Sequence, residues 1–222
     1  MKRYDNLFFD FDGTIMDTSE GIFRSFDYAL ESFGMEKPGP EVYKTLIGPP
    51  LIDSFRNAFG FNEEKARLGV KRYREFYVPK GLYMVSVYEG LESSLSALAE
   101  SGRNLYVATS KPEIFARELL DKHNLLKYFK MAGGSDTDEK RVKKQDIIRY
   151  VMEKCGIASG ENCLMIGDRK YDAEGASKAG MDCLGVAWGF AEPGELTESG
   201  CIAVAETPDS LPSVIKSLES GN

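Results

Sequence analysis

The sequence predicts a doubly wound α/β fold, a mainly parallel sheet interrupted by an inserted helical subdomain. Three observations carry this. Short runs that are apolar throughout recur along the chain, as strands buried on both faces require. Helical patterns separate most of these runs. More than ninety residues, mostly of helical pattern, lie between the first run and the second, far more than one crossover needs.

The first strand is predicted at Leu7–Phe9. Beyond it, Ile22, Phe23, Phe26, Ala29, Leu30 and Phe33 keep a 3.6-residue period, and Asp17 with Glu20 predicts a capping box. Helical segments broken at Gly48-Pro49-Pro50 and stopped by Pro79 and Gly81 follow. Residues 16–83 thus form the expected helical insertion, and residues 1–15 with 84–222 the expected α/β core. Within that core, Leu91, Leu95, Leu98 and Ala99 make one helical stripe, closed by Gly102 as its C′ residue. Strands are then expected at Leu105–Ala108, Tyr128–Ala132, Cys163–Ile166, Cys183–Val186 and, more weakly, Ile202–Ala205. Ile147, Ile148, Val151, Met152 and Cys155 form a further helical stripe. Thr207-Pro208 predicts an N-cap followed by proline, opening a last helix through Leu211, Val214, Ile215 and Leu218.

Composition narrows the function classes. The 222 residues carry a net charge of −7, which argues against a nucleic-acid or anionic-membrane binder, since either needs a basic face. The start "MKRYDNLFFDFDG" has a short apolar run broken by acid, unlike a signal peptide, and no run reaches membrane-spanning length. Cys155, Cys163, Cys183 and Cys201 occur singly, without a C-x-x-C, and read as reduced thiols of a cytoplasmic protein. The single histidine, His123, keeps phase with Phe115 and Leu119 and reads as structural. Chemistry that requires histidine is not expected.

In open α/β sheets, ligands bind beyond the carboxyl ends of the strands. The first strand is followed by Asp10-Phe11-Asp12-Gly13-Thr14, the second by Thr109-Ser110-Lys111-Pro112, and the fourth by Gly167-Asp168-Arg169-Lys170-Tyr171-Asp172. "RVKKQDII" opens the helix before that fourth strand. Any one of these polar residues can be a helix or turn cap. Their convergence on one sheet edge points to a site. Asp10 and Asp12 at the mouth of an apolar strand cost free energy unless a cation, a proton or donors compensate them.

Asp-x-Asp-Gly-Thr, Thr-Ser-Lys, a lysine heading a later helix and Gly-Asp-x-x-x-Asp together resemble the four-motif signature of the haloacid dehalogenase superfamily, over the whole chain. The insertion after the first motif resembles the C1-type cap of phosphoglycolate-phosphatase-like members. The resemblance implies a Rossmann-like core and an Mg²⁺-dependent phosphatase of small phosphomonoesters. Asp10 would attack phosphorus to form an aspartyl-phosphate. Asp12 would exchange protons with the leaving group and the water. Thr109 and N–H groups around Phe11 and Asp12 would bind the phosphoryl oxygens, with Ser110 beside them. Mg²⁺ suits the oxygen site of Asp10, Asp168 and the Asp12 carbonyl, with Asp172 holding a water or orienting Asp168.

The basic run departs from the Lys-Pro common in the superfamily. Lys144 aligns with the motif because it opens the Ile147/Ile148 helix, and Lys143 is the alternative. Arg169 departs from the commoner Ser or Thr and is expected to pair with a nearby acid. An acid at position 12 favours phosphate over halide chemistry, whereas a phosphomutase would use the same motifs. A phosphate-binding regulator without turnover would not need Asp12. Gly48 and Arg56 occupy the place of a cap specificity loop, and Trp188 is a candidate aromatic wall for substrate. Expected substrates are phosphoglycolate, a sugar phosphate or a nucleoside monophosphate, and the assembly a monomer or homodimer.

Overall fold

The computed structural model describes residues 2–136 and 141–221. The chain divides into two compact units, Met1–Met16 with Val87–Asn222, and Asp17–Ser86. Strand β1 (Asn6–Phe9) leads through the short β2 (Met16–Asp17) to the helices α1 (Ser19–Glu31), α2 (Pro40–Thr45), α3 (Leu51–Phe59) and α4 (Glu63–Tyr77). The chain returns through β3 (Ser86–Val87), which with β2 makes a two-stranded sheet. There follow α5 (Leu91–Glu100), β4 (Asn104–Pro112), α6 (Glu113–Lys122), β5 (Phe129–Ser135), α7 (Lys144–Lys154), β6 (Cys163–Gly167), α8 (Lys170–Lys178), β7 (Asp182–Val186), α9 (Glu195–Glu198), β8 (Ala203–Ala205) and α10 (Leu211–Ser220).

The six larger strands form one parallel sheet in the order β5-β4-β1-β6-β7-β8. Counted along the chain, that is the 3-2-1-4-5-6 order of the Rossmann-like doubly wound fold. Alternation along the strands divides the core. Phe8, Tyr106, Ala108, Met165 and Cys183 pack with Ile147, Ile148 and Val151 of α7 and Ala173 and Ala176 of α8. Leu7, Phe9, Leu105, Val107, Leu164 and Ile166 are equally buried and, with the side-chain period of two, belong to the opposite face. Helices α5 and α6 touch β4, and α10 packs on α5.

The helical unit has its own aromatic core. The Phe26 ring of α1 meets Phe55 of α3 at 5.1 Å and Tyr73 of α4 at 5.0 Å between centroids. Asn62 caps α4 by accepting from the Lys65 N–H at 2.9 Å.

Three local expectations differ. Asp17 lies one residue outside the N-cap, which is Thr18, so no capping box forms at α1. Instead the Asp17 carboxylate accepts from the Ser19 N–H at 2.9 Å. Tyr128 closes a 3₁₀ turn (Leu126–Tyr128) rather than opening β5. Pro208 also opens a 3₁₀ turn, in which the Thr207 side chain makes no cap bond, and α10 proper starts at Leu211. His123 stands at the C-cap of α6 with its N–H donating to the Leu119 carbonyl. The four cysteines are unpaired. Among the described residues no helix is long and apolar enough to cross a membrane.

Candidate functional site: three buried aspartates and a lysine

The strand order reverses between β1 and β6, and ligand sites of such sheets lie beyond the carboxyl ends of the strands at that point. Asp10 follows β1, and its N–H donates to the Ile166 carbonyl of β6 at 2.9 Å. The chain then turns sharply, the N–H groups of Thr14, Ile15 and Met16 all pointing to the Phe11 carbonyl. Gly13 makes the turn at φ +83°, and a Cβ there would lie 2.1 Å from Asp168 Oδ2. A Cβ on Gly189 would lie 2.3 Å from Asp168 Cβ. Only glycines let these two loops close on the Asp168 side chain.

Asp168 is fully buried after β6. Its Oδ2 accepts from the Phe190 N–H at 2.8 Å, and its Oδ1 more weakly from the Thr14 hydroxyl at 3.4 Å. Asp172 stands in the first turn of α8, where its own N–H donates to the Arg169 carbonyl and its Oδ2 accepts from the Arg169 N–H at 3.1 Å. That bond orients Asp172 toward the site, where Asp10, Asp168 and Asp172 bring carboxylate oxygens within 4.8 Å of one another.

Lys144 opens α7 and is buried, whereas Lys143 at the N-cap is exposed. The Lys144 ammonium lies 2.7 Å from Asp10 Oδ1 and 2.8 Å from Asp172 Oδ1, and donates to the Ala108 carbonyl at 3.0 Å. Both carboxylate oxygens are buried, and the ammonium meets each at ion-pair distance. Three carboxylates against one ammonium leave a deficit of positive charge, which the titration of the groups reflects. Burial pushes the Asp10 carboxyl up to about 6, Lys144 opposing and Asp172 and Asp12 adding to the rise. Burial, then Asp172 and Asp10, hold Asp168 well above the usual carboxylate range. Burial alone would lower Lys144, but Asp10 and Asp172 outweigh it and keep the ammonium protonated. Three buried carboxylates within 4.8 Å of one another, raised and met by a single ammonium, fit a hard divalent cation with oxygen ligands.

Thr109 is buried on β4 and accepts from the Lys111 N–H at 3.2 Å, leaving its hydroxyl proton to donate. Ser110 beside it is half-buried. Phe11 is fully buried, so its ring does not line a substrate surface. Among the described residues, the N–H groups of Phe11 and Asp12 donate to no backbone oxygen. Arg169 pairs with Glu195 at 2.9 Å, both nearly buried. Trp188 packs edge-on to Tyr88 and donates to the Thr14 carbonyl at 3.2 Å, bracing the turn after β1. Gly48 and Arg56 belong to the helical unit. Gly48 is exposed at φ +105°, and Arg56 pairs with Glu63 at 3.6 Å.

Two contributors escape residue-type reasoning. The Phe190 N–H acts through its backbone, which carries no sequence signal. Lys111, whose ammonium lies 2.8 Å from Asp12 Oδ1, was visible only as the third residue of Thr-Ser-Lys.

A sequence model of the haloacid dehalogenase-like hydrolases matches residues 7–186. The chain belongs to this family. A 5'-nucleotidase of Pseudomonas aeruginosa is 43% identical over 194 residues, 87% of each chain. A tyrosine-protein kinase PtkA of Mycobacterium tuberculosis is 32% identical over 92% of this chain and 70% of its own length. The crystal structure of a predicted phosphatase from Clostridium acetobutylicum superposes with a TM-score of 0.89 and 36% identity, covering 98% of this chain and 99% of that one. This haloacid dehalogenase-like hydrolase is a phosphatase. The motif residues named from the sequence lie at the strand ends and helix starts just described.

Proposed function

We propose that this enzyme hydrolyses small phosphomonoesters through an aspartyl-phosphate on Asp10, in an Mg²⁺-dependent reaction. The observation that carries the reading is the cluster of Asp10, Asp168 and Asp172, three buried carboxylates against one ammonium. Asp10, Asp168 and the Asp12 carbonyl would hold the ion, with Asp172 orienting the site from behind. Bound there, Mg²⁺ would keep Asp10 ionised and offset the charge of an anionic phosphate.

An Asp10 carboxylate oxygen attacks phosphorus, and the bond from phosphorus to the ester oxygen breaks. That oxygen takes a proton from the Asp12 carboxyl and leaves as an alcohol. Asp12 then accepts a proton from a water as it attacks the same phosphorus, releasing phosphate and restoring Asp10. The Thr109 hydroxyl and the Phe11 and Asp12 N–H groups hold the phosphoryl oxygens, and Lys144 balances charge that develops on Asp10. In this reading residues 17–86 act as the cap, with Gly48 and Arg56 contributing to substrate choice. The relative named as a 5'-nucleotidase makes nucleoside monophosphates the first class to assay, before phosphoglycolate and sugar phosphates.

The test is phosphate release with and without Mg²⁺ across a panel of those three classes. Wild type is expected to turn over at least one class only with the metal, and Asp10→Asn to lose activity by several orders of magnitude. No release from any member of the panel would reject a phosphomonoesterase. Isomerised product without release would identify a mutase instead.

A further inference from the structure

We propose that Lys111 is a positioning residue for the proton transfer to the leaving group, acting by fixing the carboxyl of Asp12. This rests on the reading of Asp12 as the proton donor. The Lys111 side chain is 3% exposed and its ammonium lies 2.8 Å from Asp12 Oδ1. A lysine is costly to bury unless its charge is met by a partner, and here the partner is the residue placed at the leaving group. Three features aim it. Lys111 lies where the pairing of β4 with β5 shifts register between Ala108 and Pro112, so the strand is locally irregular at this residue. Its N–H is held by the Thr109 hydroxyl at 3.2 Å. Its ammonium lies 5.3 Å from the centre of the fully buried Phe11 ring, one residue before Asp12.

The consequence is a division of labour between the two oxygens of Asp12. Lys111 takes Oδ1, which leaves Oδ2 to carry the transferred proton. An aspartate side chain has two torsions, and in solvent its carboxyl would sample several rotamers. The ion pair selects one. Misplacement of a catalytic group by about 1 Å can cost on the order of 10²-fold in rate. Lys144 and Lys111 therefore have separate targets: Lys144 faces Asp10 and Asp172, whereas Lys111 faces Asp12.

The experiment compares kcat/KM for two substrates, an alkyl phosphomonoester taken from the active class and p-nitrophenyl phosphate. The alkoxide leaving group requires a proton, and the nitrophenolate does not. Hydrolysis of the aspartyl-phosphate is common to both substrates and follows the step that kcat/KM reports, so the ratio isolates departure of the leaving group. Lys111→Met is expected to lower kcat/KM for the alkyl ester by about 10²-fold and for the nitrophenyl ester by less than about tenfold. Lys111→Arg, which keeps the charge, should recover part of the difference. In the Asp12→Asn background the Lys111→Met substitution should add little further discrimination, because its target is gone. Equal losses on both substrates in Lys111→Met would overturn the positioning role and leave an ordinary structural ion pair. If Lys111→Met does not fold, Lys111→Gln, which keeps a donor but not the charge, decides: a larger loss on the alkyl ester supports the proposal, and equal losses or no loss on the two esters overturn it. If Asp12→Asn itself fails to discriminate between the esters, the fault lies in the proton-donor reading rather than in Lys111.

Discussion

Lys144 and Lys143 are adjacent, carry the same charge and differ only in helical phase. Lys144 lies three and four residues before Ile147 and Ile148, on the face of α7 that packs into the core, and is buried against Asp10 and Asp172. Lys143 points to solvent. Replacing Lys144 by Met leaves buried carboxylates uncompensated, a change that costs roughly 3–5 kcal/mol where a buried pair is broken. Lys143→Met should stay within about 0.5 kcal/mol of wild type. Urea unfolding of the two variants measures the contrast, and equal effects would mean that Lys144 does not carry the charge balance. The phase argument was available from sequence. Arg169 was expected to pair with a nearby acid and does pair with one, but its partner Glu195 lies twenty-six positions away and no local pattern names it.

At the scale of elements, the loop after β1 is the least tolerant segment. Gly13→Ala puts a methyl group against Asp168 Oδ2 in a backbone conformation that costs an L-residue roughly 1–2 kcal/mol. The variant should lose at least that much stability, together with phosphatase activity, as read by thermal unfolding and phosphate release. Unchanged values for both would show that Asp168 has room to move. The six sheet strands were legible because each contains a short, mainly apolar run. Strands β2 and β3 were not, since two residues carry no period. The capping box assigned to Asp17 failed for a local reason. Helix α1 starts one residue later than the motif implied, and Ser19 uses the carboxylate directly. At α8 the N-cap is Arg169, a residue type that propensity would not select, and Asp172 reaches back to its N–H instead.

For the whole molecule, the raised carboxyls set a pH dependence. Asp10 has a folded-state pKa of about 6 against an ordinary value of 3.8, so it favours the folded state at low pH. That contribution is full below about 3.8 and is lost as pH rises through about 6. Its size is on the order of 3 kcal/mol. Metal binding removes the penalty, since the ligand must be deprotonated. Mg²⁺ should therefore raise Tm more at pH 7 than at pH 5, as followed by calorimetry. A shift that is equal at both pH values would mean that the ion does not bind at these carboxylates. The position of the cluster was legible, because every motif follows a parallel strand or opens a helix beside one. The degree of burial was not, since it depends on the glycine approaches of Gly13 and Gly189 to Asp168.

The covalent role of Asp10 is the centre of this account, and trapping the intermediate tests it most directly. The enzyme is mixed with Mg²⁺ and a substrate it hydrolyses, quenched during turnover and treated with borohydride, which reduces an aspartyl-phosphate to homoserine. Peptide sequencing is expected to find homoserine at position 10 only when substrate is present. Steady phosphate release with Asp10 recovered unmodified, or homoserine at another aspartate, would contradict the mechanism.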